Sequence, residues 1–356
     1  MEFSAERENI IKAMEIAIRA IPNKTTMPVL HNFLIRVKDT EGEVIANGIT
    51  EGITVKFATI TAESGEVLVD AKTVLVAIKK MAKGEVSFKK EGEKLLVTGG
   101  KARYEFLAIS DSFPDIPTVK DSISLKVDSL TFQKMINKVA FSADMVSADK
   151  MRSSVCMKIK NNRMSMIALD LKRVAIYEDD VESDDVEAII PCKSMMELSK
   201  SLDIGDLEIE VSKNLIKFKF SSTEMVIQLV AGTYFNISKM LEAETTISVQ
   251  INKNEFMGSI DRALVISDDK PMIISVQDCV ARLSLQTNKT LFEEDIECTH
   301  DGNDIKIGIN PAYLMDVIKA IDDEELNIYM TNSKAPLYIK NESESYVYVI
   351  LPITIS

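Results

Sequence analysis

The sequence is poor in the side chains on which most catalytic and metal sites depend. Its 356 residues include no tryptophan, four cysteines and two histidines, His31 and His300. Neither histidine has a partner at metal-ligand spacing, so no zinc or other metal site is expected. The cysteines lack any CxxC pair and are typical of a reduced protein without a disulfide framework. They are Cys156, Cys192, Cys279 and Cys298.

Motifs that mark enzymes are also missing. There is no glycine-rich phosphate loop, no GxSxG and no HExxH, and histidine is nearly absent as a general base. Neighbouring acids in predicted turns offer oxygen ligands for a cation, but such pairs are more often solvated surface. These pairs are Asp179/Asp180, Asp184/Asp185, Asp268/Asp269 and Asp322/Asp323. The sequence therefore predicts a non-catalytic protein with no cofactor and no metal.

Long apolar runs are absent as well. No stretch approaches 18 uncharged apolar residues, and the first ten residues, MEFSAERENI, are charged. We therefore expect no membrane partner and a cytoplasmic location. The net charge of -13 argues against nucleic acid unless basic and acidic residues occupy different surfaces.

What the sequence does contain is a pattern repeated three times. The stretch LVDAKTVLVAIKKMAKGEVSF, which begins at Leu68, recurs about 120 residues later and again after a similar interval. With Val69, Ile190 and Ile309 as equivalent anchors, the apolar positions that follow have helical spacing and then alternate as in strands. The three stretches align without a gap over nearly thirty residues, so that Ile216 matches Ala335.

A second unit precedes each of these stretches, anchored at Phe3, Leu125 and Val249. Each repeat therefore reads as strand, helix and strands, twice over. This pattern predicts an α+β fold of three like domains, each with two helices and antiparallel sheets. We place the domains at residues 1–121, 122–245 and 246–356. The alternative is a single α+β protein with accidental periodicity.

The charges separate between the predicted helices and the rest of the chain. The helices are expected at residues 5–21, 72–83, 128–141, 192–202, 252–266 and 310–321. They contain 14 Lys and Arg against 8 Asp and Glu, although the whole chain is strongly acidic. The densest basic patch, Lys72, Lys79, Lys80 and Lys83, contains no acid. A solvated helix face would explain any one of these lysines, but the segregation favours loose, sequence-independent phosphate binding.

Helix packing distances decide what such a protein could enclose. Six helices side by side at about 10 Å form a ring with an axis radius near 10 Å, too narrow for duplex DNA. Twelve helices, from two chains, leave a free radius of about 14 Å, which accommodates a duplex. A closed symmetric dimer is the simplest such assembly.

Several motifs resemble those of the bacterial β sliding clamps, the processivity subunits of the replicative DNA polymerase III. IGINPAYLMDVIKAI resembles the third-domain signature of that family, and MEFSAERENIIKAM, NKTTMPVLHNFLI, FPDIP and YVYVILPI resemble its other segments. The resemblance covers the whole chain. It implies a non-catalytic homodimeric ring that encircles double-stranded DNA without sequence preference. It also implies a nucleoid-associated location and, as partners, the replicative polymerase, a clamp loader and other proteins that carry a clamp-binding motif.

The same resemblance assigns residues to three surfaces. The DNA-facing residues would be Lys24, Lys72, Lys79, Arg152 and Lys193, although the aromatic residues often found beside Arg152 are absent. The basic patch described above adds Lys80 and Lys83 to this surface. The dimer contact would place Val265 and Ile266 against the strand in GGKARYEFL. Lys101 and Arg103 would there pair with acids of LFEEDIE.

The resemblance also implies a groove for partner peptides between the second and third domains. Its residues would be Leu169, Asp170, Lys172, Arg173, Val174, Phe235, Lys239, Met240, Pro336, Val349, Leu351, Pro352 and Ile353. Relatives commonly contain TDGHRL and FPDYRR where this chain has LDLKRV and YFNISK. We therefore expect the groove to prefer altered peptides, as in a divergent chromosomal or mobile-element clamp. Core packing explains Val174, Met240 and Val349 equally well. The rival function is a repeat scaffold that binds proteins without enclosing DNA.

Overall fold

The computed structural model describes residues 1–267, 270–341, 343 and 345–355. Contacts divide the chain into two compact units. Unit 1 comprises Met1–Thr131 and Glu197–Leu229, and unit 2 comprises Phe132–Met196 and Val230–Ser356. The division cuts through the second predicted domain, because strands of that domain pair with the first repeat in unit 1 and with the third repeat in unit 2.

All six helices expected from the sequence are present, and the described residues include one short additional α-helix. They are α1 Arg7–Ala17, α2 Ala71–Lys80, α3 Ser129–Val139, α4 Cys192–Ser199, α5 Ser238–Leu241, α6 Lys253–Leu264 and α7 Pro311–Ala320. Side-chain caps fix the starts of α2 and α7: the Asp70 carboxylate accepts from the Thr73 amide, and the Asn310 side chain accepts from the amides of Ala312 and Tyr313. No helix in the described ranges is long and apolar enough to cross a bilayer.

The strands alternate buried and exposed residues along most of their length. The first thirteen are β1 Glu2–Glu6, β2 Asn32–Lys38, β3 Glu41–Asn47, β4 Glu51–Ala58, β5 Ile60–Glu63, β6 Gly65–Asp70, β7 Glu85–Glu91, β8 Lys94–Gly99, β9 Ala102–Leu107, β10 Ile123–Asp128, β11 Ser154–Lys160, β12 Arg163–Leu169 and β13 Arg173–Asp180. The others are β14 Val186–Pro191, β15 Asp206–Val211, β16 Leu215–Phe220, β17 Thr223–Gln228, β18 Ile247–Asn252, β19 Met272–Gln277, β20 Val280–Gln286, β21 Leu291–Asp301, β22 Ile305–Ile309, β23 Glu325–Met330, β24 Leu337–Lys340 and β25 Tyr346–Ile350.

These strands form three antiparallel sheets. Unit 1 contains a five-stranded sheet, β5-β1-β7-β8-β9, and an eight-stranded sheet, β10-β15-β16-β17-β4-β3-β2-β6. Unit 2 contains a twelve-stranded sheet, β14-β11-β12-β13-β25-β24-β23-β18-β21-β20-β19-β22. Large side chains such as Phe33, Phe88, Phe132, Phe218 and Phe256 are fully buried between sheets and helices. The α+β fold class is therefore confirmed.

Strand pairing confirms the sequence repeats residue by residue. Each repeat has two anchors: Phe3, Leu125 or Val249 in its first unit, and Val69, Ile190 or Ile309 in its second. In every repeat the first anchor pairs, across the sheet, with the residue nineteen positions after the second anchor. These equivalent pairs are Phe3–Phe88, Leu125–Ile209 and Val249–Ile328. Because register determines which face each side chain occupies, equal registers make the three apolar patterns structurally equivalent.

The gapless alignment of the three stretches is wrong at its far end. Phe88 pairs with Val97 and Ile209 with Phe218, but Ile328 pairs with Ile339. The turn between β23 and β24 is thus two residues longer than its counterparts. Leu337, rather than Ala335, occupies the position of Ile216. An even-numbered insertion keeps the same side chains facing the core, so the apolar pattern alone did not reveal it.

Successive repeats are joined by strand pairing in the same register. At the first junction, in unit 1, β4 pairs with β17 and places Ile53 opposite Met225. At the second junction, in unit 2, β13 pairs with β25 and places Ala175 opposite Tyr348. Ile53 and Ala175 are equivalent in the repeat, and so are Met225 and Tyr348. One pairing rule therefore forms both junctions.

At each junction an ion pair from a helix to the segment that follows another helix accompanies the strand pairing. Lys12 Nζ lies 2.7 Å from a carboxylate oxygen of Asp203 at the first junction. Lys134 Nζ lies 3.3 Å from Asp322 at the second. Lys12 and Lys134 occupy one repeat position and the two aspartates another. Both junctions are therefore closed by a strand ladder and by charged contacts.

Candidate functional site

The predicted groove residues converge on one apolar cluster in unit 2. Its members include five of them: Leu169, Val174, Phe235, Met240 and Val349. The side chains of Leu169, Val174 and Val349 are buried, whereas those of Phe235 and Met240 are half-buried. The first three therefore lie in the floor beneath the surface, and the last two are the ones that solvent, or a bound peptide, can reach.

A tight turn shapes one edge of this cluster. The Asp170 carboxylate accepts hydrogen bonds from the backbone amides of Lys172 (2.9 Å) and Arg173 (3.0 Å). Leu171, between Asp170 and Lys172, has φ +70° and projects outward with 54% of its surface exposed. Asp170 thus fixes a local bend in the way that aspartate commonly does in turns.

The Arg173 side chain is buried and satisfied on all sides. Its Nε donates to Asp170 at 3.0 Å, Nη1 to Asp316 at 2.6 Å, and Nη2 to the Phe141 carbonyl at 2.6 Å. The guanidinium carbon also lies 4.4 Å from the centre of the Tyr313 ring. With 9% of its side chain exposed, Arg173 positions the turn and the neighbouring helix rather than facing solvent.

Residues 351–353 lie beside this turn. The Leu351 amide donates to the Lys172 carbonyl at 2.8 Å, and the Ile353 amide donates to the Gly308 carbonyl at 2.8 Å. Leu351 and Pro352 are half-buried, and Ile353 is 36% exposed. Lys239 is exposed and Pro336 is half-buried. The tail is therefore held beside the turn with apolar side chains accessible.

A cleft of about 390 Å³ adjoins the cluster, and sequence reasoning missed it. Ile176, Tyr338 and Val347 of the cluster line it, with Leu241 and the Arg163–Glu178 ion pair. Ile176 lies two residues beyond Val174 on the same face of β13, so strand alternation offered a signal for it.

Most of the predicted DNA-facing lysines are exposed and uncommitted. Across the described ranges, no ion pair involves Lys24, Lys72, Lys80, Lys83 or Lys193. Lys79 differs, because its Nζ lies 2.6 Å from Glu15. Arg152 is half-buried and lies 3.6 Å from Asp144 and 3.5 Å from Asp149. These two cations are partly neutralised by acids of their own chain.

The predicted dimer residues lie beside strand edges that lack partners. β9 ends the five-stranded sheet of unit 1, and residues 291–297 of β21 pair on one side only among the described strands. Val265 is 83% exposed and Ile266 is half-buried. Lys101 is exposed, and Arg103 pairs with Glu105 at 3.0 Å. Exposed strand edges of this kind are templates for another chain.

The acids of LFEEDIE are partly engaged within the chain. Arg262 donates two hydrogen bonds to Glu294, and Arg282 donates two to Asp295. The bond from Arg282 holds the pKa of Asp295 below its usual range. No ion pair in the described part of the chain involves Glu293, which stays available to an external cation.

Within the described ranges, no three histidine, cysteine or acidic side chains are grouped as a metal would require. Asp322 pairs with Lys134 and Lys138, and Asp323 accepts a hydrogen bond from Tyr346. Asp185 accepts from the Asn161 amide in a turn. The pair Asp268/Asp269 lies outside the described residues.

Two buried thiols give the structure an alkaline limit. Burial raises the pKa of Cys156 and of Cys192 to about 12. Both thiols stay neutral in the folded chain, whereas the unfolded chain loses their protons near pH 8.5. We therefore expect stability to fall between about pH 9 and 12, and Cys156→Ala/Cys192→Ala to flatten that fall. Urea unfolding at stepped pH measures it, and an equally steep fall in the double variant would contradict this origin.

Comparison with known proteins connects these surfaces to a family. Models of the DNA polymerase III beta subunit match along the chain: the N-terminal domain over residues 1–119, the central domain over 126–236 and the C-terminal domain over 238–354. A beta sliding clamp of Staphylococcus epidermidis is 25% identical over 99% of both chains.

Solved structures agree with this match. A crystal structure of a DNA polymerase III beta subunit from Eubacterium rectale is 31% identical, with a TM-score of 0.95 over 99% of both chains. The DNA polymerase sliding clamp from Bacillus subtilis shares the fold with a TM-score of 0.96 over 100% of both chains, at 19% identity. The chain therefore belongs to the DNA polymerase III beta subunit family, the non-catalytic sliding clamps of DNA replication.

Proposed function

We propose that two copies of this chain close head to tail around duplex DNA and hold the replicative polymerase there through the groove of unit 2. The observation that carries the proposal is the pairing rule shared by both junctions within the chain, together with two strand edges left unpaired. The equivalent of β4 and β13 in the third repeat is β21. The equivalent of β17 and β25 in the first repeat is β9. By the pairing rule, the free edge of β9 in one copy would pair with the free edge of β21 in the other.

The rule also specifies the register between copies. Ile53 and Ala175 correspond to Phe292, and Met225 and Tyr348 correspond to Tyr104. Tyr104 would then lie opposite the partner's Phe292. Along the same ladder, Arg103 meets the partner's Glu293 and Lys101 meets the partner's Asp295. Opposite charges facing each other across an antiparallel pair support this register.

The uncommitted lysines supply the DNA contact. Lys72, Lys80 and Lys83 lie on or just after α2, and acids elsewhere leave the chain at -13. Such lysines neutralise phosphates without reading bases, which suits a protein that slides. We expect Arg152 and Lys79 to contribute less, because acids of the same chain already pair with them.

Retention on DNA tests the function directly. We expect the protein, once loaded onto nicked circular duplex by a clamp loader, to stay bound through gel filtration and to be released when the circle is cut. Lys72→Glu/Lys80→Glu/Lys83→Glu should shorten retention several-fold, because three phosphate contacts become repulsions. Lys38→Glu/Lys90→Glu/Lys334→Glu, at exposed lysines elsewhere, is the matched control. Absence of retention on circular and cut DNA alike would instead favour the protein-binding scaffold, and equal retention on both would contradict enclosure of the duplex.

The partners would be proteins that carry a short extended peptide with apolar anchors. Phe235, Met240, Leu351 and Ile353 offer the accessible apolar contacts, and Lys239 offers a charge at the rim. The replicative polymerase, the clamp loader and other motif-bearing proteins are the proposed ligands, in the cytoplasm at the nucleoid. Leu171 in the turn and Phe235 beside the cluster support an altered peptide preference. Full-strength binding of peptides selected by the relatives would contradict that preference.

A further inference from the structure

Each of the two junctions within the chain contains a second ion pair besides the lysine–aspartate pair. An acid seven positions after the second anchor meets an arginine each time. At the first junction Glu197 lies 2.8 Å from Arg19 Nη1, and at the second Asp316 lies 2.6 Å from Arg173 Nη1. The two acids are equivalent in the repeat, but the arginines are not: Arg19 follows α1, Arg173 begins β13, and the repeat equivalent of Arg19 is Phe141. Each junction therefore contains two ion pairs.

The equivalent residues at the junction between copies bear no charge. Gly258 is the repeat equivalent of Lys12 and Lys134, and Ala82 is the repeat equivalent of Asp203 and Asp322. Val76, on α2, is the repeat equivalent of Glu197 and Asp316. Val265, directly after α6, is the repeat equivalent of Arg19.

Both valines lie exposed in the single chain. Val265, directly after α6, has 83% of its surface exposed, and Val76, on α2, has 56% exposed. Both helices bury other side chains well. In the repeat, Val76 stands where both internal junctions place an acid, and Val265 stands where the first junction places Arg19. Small residues at Gly258 and Ala82 leave room for two helices to approach closely.

We propose that the helix layer between the two copies is closed by Val76 against the partner's Val265, without the ion pairs of the other junctions. This inference rests on the ring described under the proposed function, and it adds Val76, Ala82 and Gly258 to the contact. The occupant of the exposed helix face is therefore a second copy of this chain. Its chemistry is apolar and close-packed, so salt should affect this layer little.

The charges nearby are already assigned. Arg262, whose guanidinium lies 3.4 Å from a methyl group built at Gly258, is held by two hydrogen bonds to Glu294. Lys79, one turn from Val76, pairs with Glu15. Neither cation needs a partner from the other copy at this layer.

A charge-introduction cycle tests the contact. Val76→Glu and Val265→Arg each bury one unpaired charge in the dimer, so each should raise the dimer dissociation constant at least ten-fold in analytical ultracentrifugation. The double variant recreates the Glu197–Arg19 arrangement and should recover to within about three-fold of the parent, now with a marked dependence on salt. Ile60→Glu, at an exposed residue of β5, is the matched control and should leave the constant unchanged.

The outcomes distinguish failure of the proposed ring from failure of the Val76–Val265 contact. A parent chain that stays monomeric at micromolar concentration would overturn the proposed ring itself. A dimeric parent whose Val76→Glu variant dimerises normally, or whose double variant is no better than the singles, would overturn only the Val76–Val265 contact. Circular dichroism of each variant confirms folding, and both side chains are exposed in the single chain, so loss of fold is not expected.

Discussion

Replacing Arg173 with alanine should destabilise unit 2 by about 3 kcal/mol, because its buried guanidinium bridges two carboxylates and a backbone carbonyl. The substitution would leave the Asp170 and Asp316 carboxylates close together and the Phe141 carbonyl without its donor. It would also remove the guanidinium that stacks on Tyr313. Urea unfolding measures the loss, and peptide titration should show weaker binding, because the Asp170–Arg173 turn forms one edge of the proposed groove.

Two further variants show whether the network, rather than charge alone, is responsible. Arg173→Lys retains the charge but offers a single point donor, so it should recover only part of the stability. Lys172→Ala, at the exposed neighbour, should change the unfolding free energy by less than about 0.5 kcal/mol. A loss below about 1 kcal/mol for Arg173→Ala would mean that solvent replaces the network at little cost.

Inverting two charges on β9 should separate the copies. In the register derived above, Lys101→Glu/Arg103→Glu places two acids opposite the partner's Asp295 and Glu293. Cross-strand charge pairs are worth up to about 1 kcal/mol each, and a head-to-tail ring contains every pair twice. The total of about 4 kcal/mol corresponds to a roughly thousand-fold weaker dimer. Sedimentation measures that shift, and retention on circular DNA should be lost with it.

The compensating substitutions make this a test of register. Adding Glu293→Lys/Asp295→Lys to the same chain restores opposite charges at both positions and should restore the dimer. Adding Glu297→Lys, two positions further along β21, should not. If the displaced substitution rescued equally well, long-range charge would explain the effect and the derived register would be wrong.

Repetition is what the sequence made predictable. Helix spacing and strand alternation at equivalent anchors identified all six longer helices, the antiparallel strands and the equivalence of Phe3, Leu125 and Val249. These features depend on which face of a helix or strand is buried, and the spacing of apolar residues in each stretch indicates that face. The two extra residues between β23 and β24 preserved that face and therefore escaped notice.

Contacts between distant side chains were not predictable in the same way. Arg173 was expected to line the groove, and its burial depends on Asp316 and Phe141, which lie far away in sequence. The short helix Ser238–Leu241 has no repeated counterpart to reveal it. The cleft beside Ile176 and Val347 arises only when strands of two repeats become neighbours. The roles proposed for these residues depend on such tertiary contacts.

The shared register of the two internal junctions has a consequence for assembly control. In the proposed dimer β9 pairs with the unlike edge of β21, so every subunit added to a growing chain would expose the same two edges again. Nothing in the ladder itself limits that growth, so the angle between successive junctions must select a closed pair over a filament. A lengthened connection that altered this angle would convert a ring-forming protein into a polymerising one without changing any contact residue.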